Sequence, residues 1–216
     1  MINFIPRLIT GIIYISLVTG SILYNSKSFI ILFFILTLLA TYESHLLWNR
    51  IRLTNSKYYY PIPQLYIILS MITLMLIPFY FSDSYAPFPI LFIFILIWVS
   101  DTMSYFFGSY FGKNKMKIIV SPNKTWEGFI GGFLCSLIFS IFSFEYIQEV
   151  YPYWKTILLG IFIPIFGLLG DIFQSKLKRM ASVKDSGSVL PGHGGILDRL
   201  DSALGVSYIS LLITLI

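Results

Sequence analysis

Residues 88–111 read FPILFIFILIWVSDTMSYFFGSYF, a run whose single charge is Asp101. At 1.5 Å per residue it makes about 36 Å of helix, enough to cross a hydrocarbon core of about 30 Å. Comparable apolar stretches fall on either side, at 8–24, 28–42, 64–81, 126–144, 154–173 and 202–216. The expected fold class is therefore all-α, a polytopic integral membrane protein of about seven transmembrane helices. The second helix has apolar residues to continue through Leu46, Leu47 and Trp48, and the last, with 15 residues, is short for a span.

Composition excludes the other broad classes. Of 216 residues, 56% are hydrophobic and 12% are charged, whereas soluble domains carry about 25% charged residues. A mean hydropathy of +0.80 also excludes a disordered chain, which needs low hydrophobicity and high net charge. The single Cys135 lies in an apolar run, so it reads as a small core residue and no intramolecular disulfide is available. Arg7 ahead of an apolar stretch imitates a signal peptide, but the chain keeps crossing the membrane and the segment reads as a retained first span.

The basic residues supply a separate test of topology, because cytoplasmic loops collect Lys and Arg. Thirteen of the fifteen fall on the side of the N-terminus, and only Lys27 and Lys155 fall opposite. The N-terminus and the basic loops are expected to be cytoplasmic. Charge is also uneven along the chain: residues 101–216 hold 18 of the 25 charges, and nine lie between Asp171 and Asp201. Any chemistry is expected there, with residues 1–97 as an N-terminal transmembrane scaffold and 98–216 as the catalytic transmembrane region.

Several clusters in that region suggest a site. Asp171, Ser175 and Lys178 or Arg179 are spaced i, i+4 and i+7 or i+8, which puts them on one helical face. Basic residues alone are what a cytoplasmic helix end would show, but an acid abutting an apolar span needs a partner, water or a metal. The loop from Lys184 to Gly195 holds four glycines, Pro191 and His193, and such loops, followed by a helix N-terminus, cradle phosphates. It leads to Asp198, Arg199 and Asp201. Two carboxylates at i and i+3 lie about 5–6 Å apart on a helix and repel by about 3 kcal/mol at an effective dielectric of 20. A divalent cation or a distant lysine would offset that, and oxygen ligands without a Cys or His cluster favour Mg²⁺ over zinc. A solvated pair complementing the helix dipole is the plainer alternative. Asp101 is either intramembrane, and then a functional suspect, or interfacial if its helix ends near Ser100. Ser121-Pro122-Asn123-Lys124-Thr125-Trp126-Glu127-Gly128 places a turn, a lysine and an acid just before the fifth span, a pattern that also reads as a helix N-cap. Acids, cations and a glycine loop at one membrane face suit phosphoryl or nucleotidyl transfer.

The stretch from Ser175 to Asp201 resembles the signature of the CDP-diacylglycerol synthases, or phosphatidate cytidylyltransferases: S-x-apolar-K-R-x4-K-D-x-small-x2-apolar-P-x-H-G-G-apolar-x-D-R-apolar-D. The matching positions are Ser175, Leu177, Lys178, Arg179, Lys184, Asp185, Gly187, Leu190, Pro191, His193, Gly194, Gly195, Ile196, Asp198, Arg199, Leu200 and Asp201. The blocks around Asp101 and Thr102, Ser121 to Gly128, and Gly170 with Asp171 are also similar to that family, with Asn123 where many members have a second lysine. The resemblance implies a transferase that converts CTP and phosphatidate to CDP-diacylglycerol and diphosphate at the cytoplasmic face of the cell membrane. It further implies Mg²⁺ held by Asp171, Asp198 and Asp201, with room for a second, monovalent ion. Lys124, Lys178, Arg179, Lys184 and Arg199 would bind phosphates, and Ser175 and His193 would hydrogen-bond a phosphate or assist proton transfer. Ser121, Asp101 and Glu127 join the substrate-binding set. Membrane lipid and a second copy of the chain, as a homodimer, are the expected partners, and nucleic acid is not. The rival readings are another membrane-embedded lipid-phosphate transferase and a transporter. The D-G-x2-A-R-x8-G-x3-D-x3-D pattern of the CDP-alcohol phosphotransferases does not occur.

Overall fold

The computed structural model describes residues 4–52, 61–80, 84–187 and 194–216, with backbone alone at 4–8, 52 and 61. Helices run α1 Phe4–Tyr24, α2 Ser26–Arg52, α3 Pro61–Leu76, α4 Pro87–Phe111, α5 Trp126–Phe142, the short α6 Phe144–Ile147, α7 Tyr153–Met180 and α8 Leu197–Leu215. A 3-10 turn, Ile77–Phe79, extends α3. Among the described residues the only β pairing outside helices is an isolated bridge between Lys115 and Thr125. The protein is all-helical, as the apolar runs predict.

Four helical stretches are long and apolar enough to cross a membrane: Ser26–Ile51, Ile62–Phe79, Pro87–Phe111 and Tyr153–Met180. Shorter apolar helices cover Ile9–Tyr24 and Trp126–Phe142. The burial pattern also points to a lipid solvent. Leu17, Ile31, Leu38, Leu65, Ile138 and Leu212 are about half exposed on the outside, whereas Ser136, Ser140, Ser207 and Ser210 are fully buried. Small and hydroxylated residues inside, with leucine and isoleucine outside, let helices approach closely where lipid tails are as apolar as the side chains.

Two helices extend beyond the apolar runs that mark them, in ways that matter for the site. α2 does continue past Trp48, to Arg52. α8 starts at Leu197, five residues before the apolar run at 202, so Asp198 and Asp201 lie on its first turns. α7 is 28 residues long, about 42 Å, and carries Asp171 to Arg179 on one continuous helix. It ends at Ala181, where Ser182 turns left-handed at φ 56° and Val183 N–H donates to the Lys178 carbonyl at 3.0 Å.

Side-chain volume sets which helices pair. α4 packs chiefly on α5, and α7 on α8. At the first contact Gly128 and Gly132 face Ser104 and Ser100, and a Cβ on Gly128 would stand 2.7 Å from the Ser104 carbonyl oxygen. At the second Gly170 meets Gly205, where a Cβ on either would lie 2.8 Å from the other's Cα. That approach puts Asp171, the next residue of α7, against the start of α8.

Two predictions follow from this packing and layout. Gly205→Ala should overpack the α7–α8 contact and destabilise the detergent-solubilised protein by about 1–3 kcal/mol. Gly20→Ala, where a Cβ meets nothing within 4 Å, should leave the thermal unfolding midpoint unchanged, and equal midpoints for the two variants would refute the packing account. For topology, the exposed Ser84 and Ile119 are each replaced by cysteine in a Cys135→Ser background and treated with a membrane-impermeant thiol reagent on intact cells. Ser84→Cys should label and Ile119→Cys should not; the reverse pattern inverts the orientation.

Candidate active site

α4, α5, α7 and α8 enclose a cavity of about 590 Å³. Asp101 of α4, Asp171 of α7 and Asp198, Arg199 and Asp201 of α8 line it, together with Lys124 from the α4–α5 loop. Asp101 is ten residues from the end of α4, so its helix does not stop at Ser100, and the carboxylate belongs to the helix body. Asp201 is within coulombic reach of both Asp171 and Asp101. Three acids would repel one another in a space this small unless cations answer them.

Two lysines do so in part. Lys124 forms an ion pair with Asp171, whose Oδ1 also accepts the Ser175 hydroxyl at 3.2 Å. Lys178 Nζ lies 2.6 Å from Asp198 Oδ1, one helical turn after Ser175 on α7 as the i, i+4, i+7 spacing predicts. The rest of Asp198 is occupied by backbone donors. Its Oδ2 accepts Ser186 N–H at 2.8 Å and Gly195 N–H at 2.9 Å, and the Ser186 Oγ lies 3.1 Å from it. Asp198 precedes the apolar run at 202–216. Burial pushes its carboxyl up, but Lys178 and the N–H groups of Gly195 and Ser186 outweigh that and hold it below the usual carboxylate range.

At its described C-terminal end the glycine loop turns its N–H groups toward the protein's own carboxylates. Gly195 N–H points at Asp198, and the next two N–H groups, of Ile196 and Leu197, donate to Glu43 of α2 at 2.9 and 3.0 Å. Along the described end of the loop, two carboxylates of the protein itself take the place expected for phosphate. His193, with residues 188–192, lies outside the described residues.

Four other expected site residues, Glu127, Ser121, Arg179 and Lys184, frame the cavity without lining it. Glu127, in the first turn of α5, accepts the Asn114 backbone N–H at 3.1 Å from each oxygen and the Asn114 side-chain amide at 2.7 Å. It thereby pins the loop that delivers Lys124. Thr125 caps the same helix, its hydroxyl accepting Gly128 N–H at 3.2 Å. The Ser121 carbonyl accepts Lys124 N–H at 3.3 Å within that loop. Arg179 donates to the backbone carbonyls of Val120 and Val183 at 3.4 and 3.2 Å, tying the α4–α5 loop to the end of α7. Lys184 is exposed beside them. Two residues escaped the sequence reading. Lys115 also lines the cavity, and Glu43 holds α8; the latter had a visible signal, a lone acid in an apolar run, the same signal that singled out Asp101.

The donor chemistry is that of a hard cation site, carboxylate oxygens throughout. Among the described residues no group of three or more His, Cys, Asp or Glu stands as a metal-holding cluster. The Lys124 and Lys178 ammonium groups are the charges with which a cation would share Asp171 and Asp198. Basic groups on the cavity wall suit a polyanion, and the acids suit a cation that accompanies it.

Residues 63–216, well over half of the chain, match the model of the Cytidylyltransferase family. The chain is similar to the phosphatidate cytidylyltransferase of Staphylococcus haemolyticus (strain JCSC1435), 48% identical over 128 residues that cover 59% of this chain and 49% of that protein. With the phosphatidate cytidylyltransferase of Staphylococcus aureus (strain COL) it shares 47% over 128 residues, again 59% and 49% of the two chains. The protein of that description from Staphylococcus saprophyticus subsp. saprophyticus is 47% identical over 117 residues, covering 54% and 45%. The chain spans about half the length of the curated relatives it matches. Since the matched region contains α4, α5, α7 and α8, with every carboxylate and cation that lines the cavity, the chain belongs to the cytidylyltransferase family.

Proposed function

We propose that this chain transfers the cytidylyl group of CTP to phosphatidate, forming CDP-diacylglycerol and diphosphate. One observation carries the reading: four carboxylates, Lys124 and Arg199 converge on a single cavity in a bundle whose outer surface is apolar. Such a cavity lets a two-tailed anionic lipid keep its tails among the helices' lipid neighbours while its phosphate meets a nucleotide from water.

In this reaction a phosphate oxygen of the lipid attacks the α-phosphorus of CTP, and the bond from that phosphorus to the bridging oxygen breaks as diphosphate leaves. Both reactants are polyanions, and each like-charge pair at 4 Å costs about 4 kcal/mol at an effective dielectric of 20. Lys124, Lys115 and Arg199 stand on the cavity wall to offset that cost. Arg179 and Lys184 add positive charge where the triphosphate enters, and His193 would hydrogen-bond a phosphate. Ser175 orients Asp171, and Lys178 holds Asp198 and its helix in register. Asp171, Asp198 and Asp201 would hold Mg²⁺, with a second, monovalent ion also bound, and the metal would supply Lewis-acid polarisation of the phosphoryl oxygens. Asp101 faces the same space and would tune the charge there.

The placement we propose is the cytoplasmic face of the cell membrane, with a cytoplasmic N-terminus, seven spans and a homodimeric assembly. Residues 1–97 support a catalytic region at 98–216. The excess of Lys and Arg on the N-terminal side supports the orientation.

The decisive assay is diphosphate release by the detergent-purified chain given CTP and phosphatidate, with and without Mg²⁺. Release should require both substrates and the metal. Asp201→Asn should lower it by about a hundredfold or more, with an unchanged thermal midpoint. Asp201 is the better choice because Asp198→Asn would also break a buried ion pair and so confound chemistry with folding. Folded protein that releases no diphosphate with any nucleotide sinks the reading, and lipid flux without release would favour a transporter.

A further inference from the structure

Glu43 belongs to α2, more than 140 residues before its partners. It is 2% exposed, and its carboxylate accepts three hydrogen bonds, from Ile196 N–H at 2.9 Å on Oε1 and from Leu197 N–H at 3.0 Å and Ser186 Oγ–H at 2.6 Å on Oε2. Ile196 is the N-cap of α8 and has no side chain that caps it. A helix start leaves its first N–H groups without intrahelical partners. Here those groups are satisfied from another helix, and the negative charge stands at the positive end of the α8 dipole.

The surroundings are shaped to admit the carboxylate. A Cβ on Gly187 would lie 2.7 Å from Glu43 Oε1, and one on Gly195 would collide with Oε2 and with the Ser186 hydroxyl. Ser186 joins Glu43 to Asp198, since its hydroxyl reaches both carboxylates and its N–H donates to Asp198. Lys178 then ties Asp198 to α7. One chain of contacts thus runs from α2 through the loop to α8 and α7.

We propose that Glu43 is a positioning residue for the transfer site: it sets the start and axial rotation of α8, and through them the places of Asp198, Arg199 and Asp201 in the cavity. The claim rests on the reading of that cavity as the cytidylyl-transfer site. It also makes a specific chemical demand. The backbone N–H groups of Ile196 and Leu197 can only donate and meet one Glu43 oxygen each, so position 43 must offer two acceptor oxygens. Gln keeps the length but turns an NH₂ toward a donor, whereas Asp keeps both acceptors and loses one methylene. A role in packing alone ranks Gln above Asp, and the positioning role ranks Asp above Gln.

The test compares Glu43→Gln, Glu43→Asp and Leu74→Ala, a core deletion in α3 at a fully buried site, all in the full chain in detergent and assayed well below their unfolding midpoints. Two quantities are read: diphosphate release as kcat and KM for CTP, and hydrogen–deuterium exchange of peptides covering 194–201. Glu43→Gln should lower kcat by about tenfold or more and speed exchange at the α8 start, as loss of an outer-layer hydrogen-bonding partner does at such sites. Glu43→Asp should retain more activity than Glu43→Gln, and Leu74→Ala should leave local exchange at wild-type rates. The proposal is overturned if Gln outperforms Asp, or if Leu74→Ala reproduces both changes. If wild-type protein shows no transfer at all, the reaction reading fails by itself, and exchange at 194–201 still decides whether Glu43 holds the start of α8.

Discussion

An ionised carboxylate inside a helical bundle has to be met by donors, and Asp198 is met from three directions at once. Lys178 reaches it from α7, Gly195 N–H from its own helix start, and Ser186 from the preceding loop. Each of these partners is fixed to a different segment, so α7, the loop and α8 cannot shift independently without leaving a buried charge unpaired. Breaking such a pair by removing one partner costs about 3–5 kcal/mol, far more than the pair contributes relative to an apolar replacement. The interaction therefore acts as a register device more than as a source of stability. Glu43 extends it to α2, so the N-terminal helices take part in shaping the site.

Against that fixed corner, the other acids have looser partners. Asp171 shares its charge with Lys124, a residue on a loop, and 30% of its side chain is exposed; Asp101 and Asp201 face the cavity without a lysine at ion-pair distance among the described residues. The transfer proposed for this cavity would need groups whose partners can be swapped, and a loop-borne lysine can move where a helix-borne one cannot. The cation that holds structure, Lys178, is more buried than the one at the cavity wall, Lys124, at 11% against 24% side-chain exposure.

Small residues let the helix pairs that bound the cavity close up. Gly170 and Gly205 bring α7 and α8 into backbone contact just before Asp171, and Gly128 and Gly132 do the same for α4 and α5 beside Ser100 and Ser104. Far from the cavity, near the C-terminal end of α8, Lys155 donates to the Thr214 carbonyl at 2.9 Å, and the Tyr151 and Thr214 hydroxyls bond at 2.8 Å. The two helices are thus held at both ends.

By itself the sequence determined the helices and most of the residues that meet at the cavity. Long apolar runs have no other way to satisfy their backbone groups in lipid, so each of the seven became helical, and charges placed against that background stand out, as Asp101, Asp171 and Asp198 do. Periodicity within one helix was equally legible, since a 3.6-residue turn fixes Asp171, Ser175 and Lys178 on one face. What only the tertiary structure decided is which donors each acid would meet. Gly195 N–H went to Asp198, the Ile196 and Leu197 N–H groups went to Glu43, Arg179 turned to backbone carbonyls, and Glu127 pinned a loop. Such pairings depend on distances between segments far apart in the chain, and no local period encodes them: Glu43 and Leu197 are 154 residues apart in sequence and 3.0 Å apart in space.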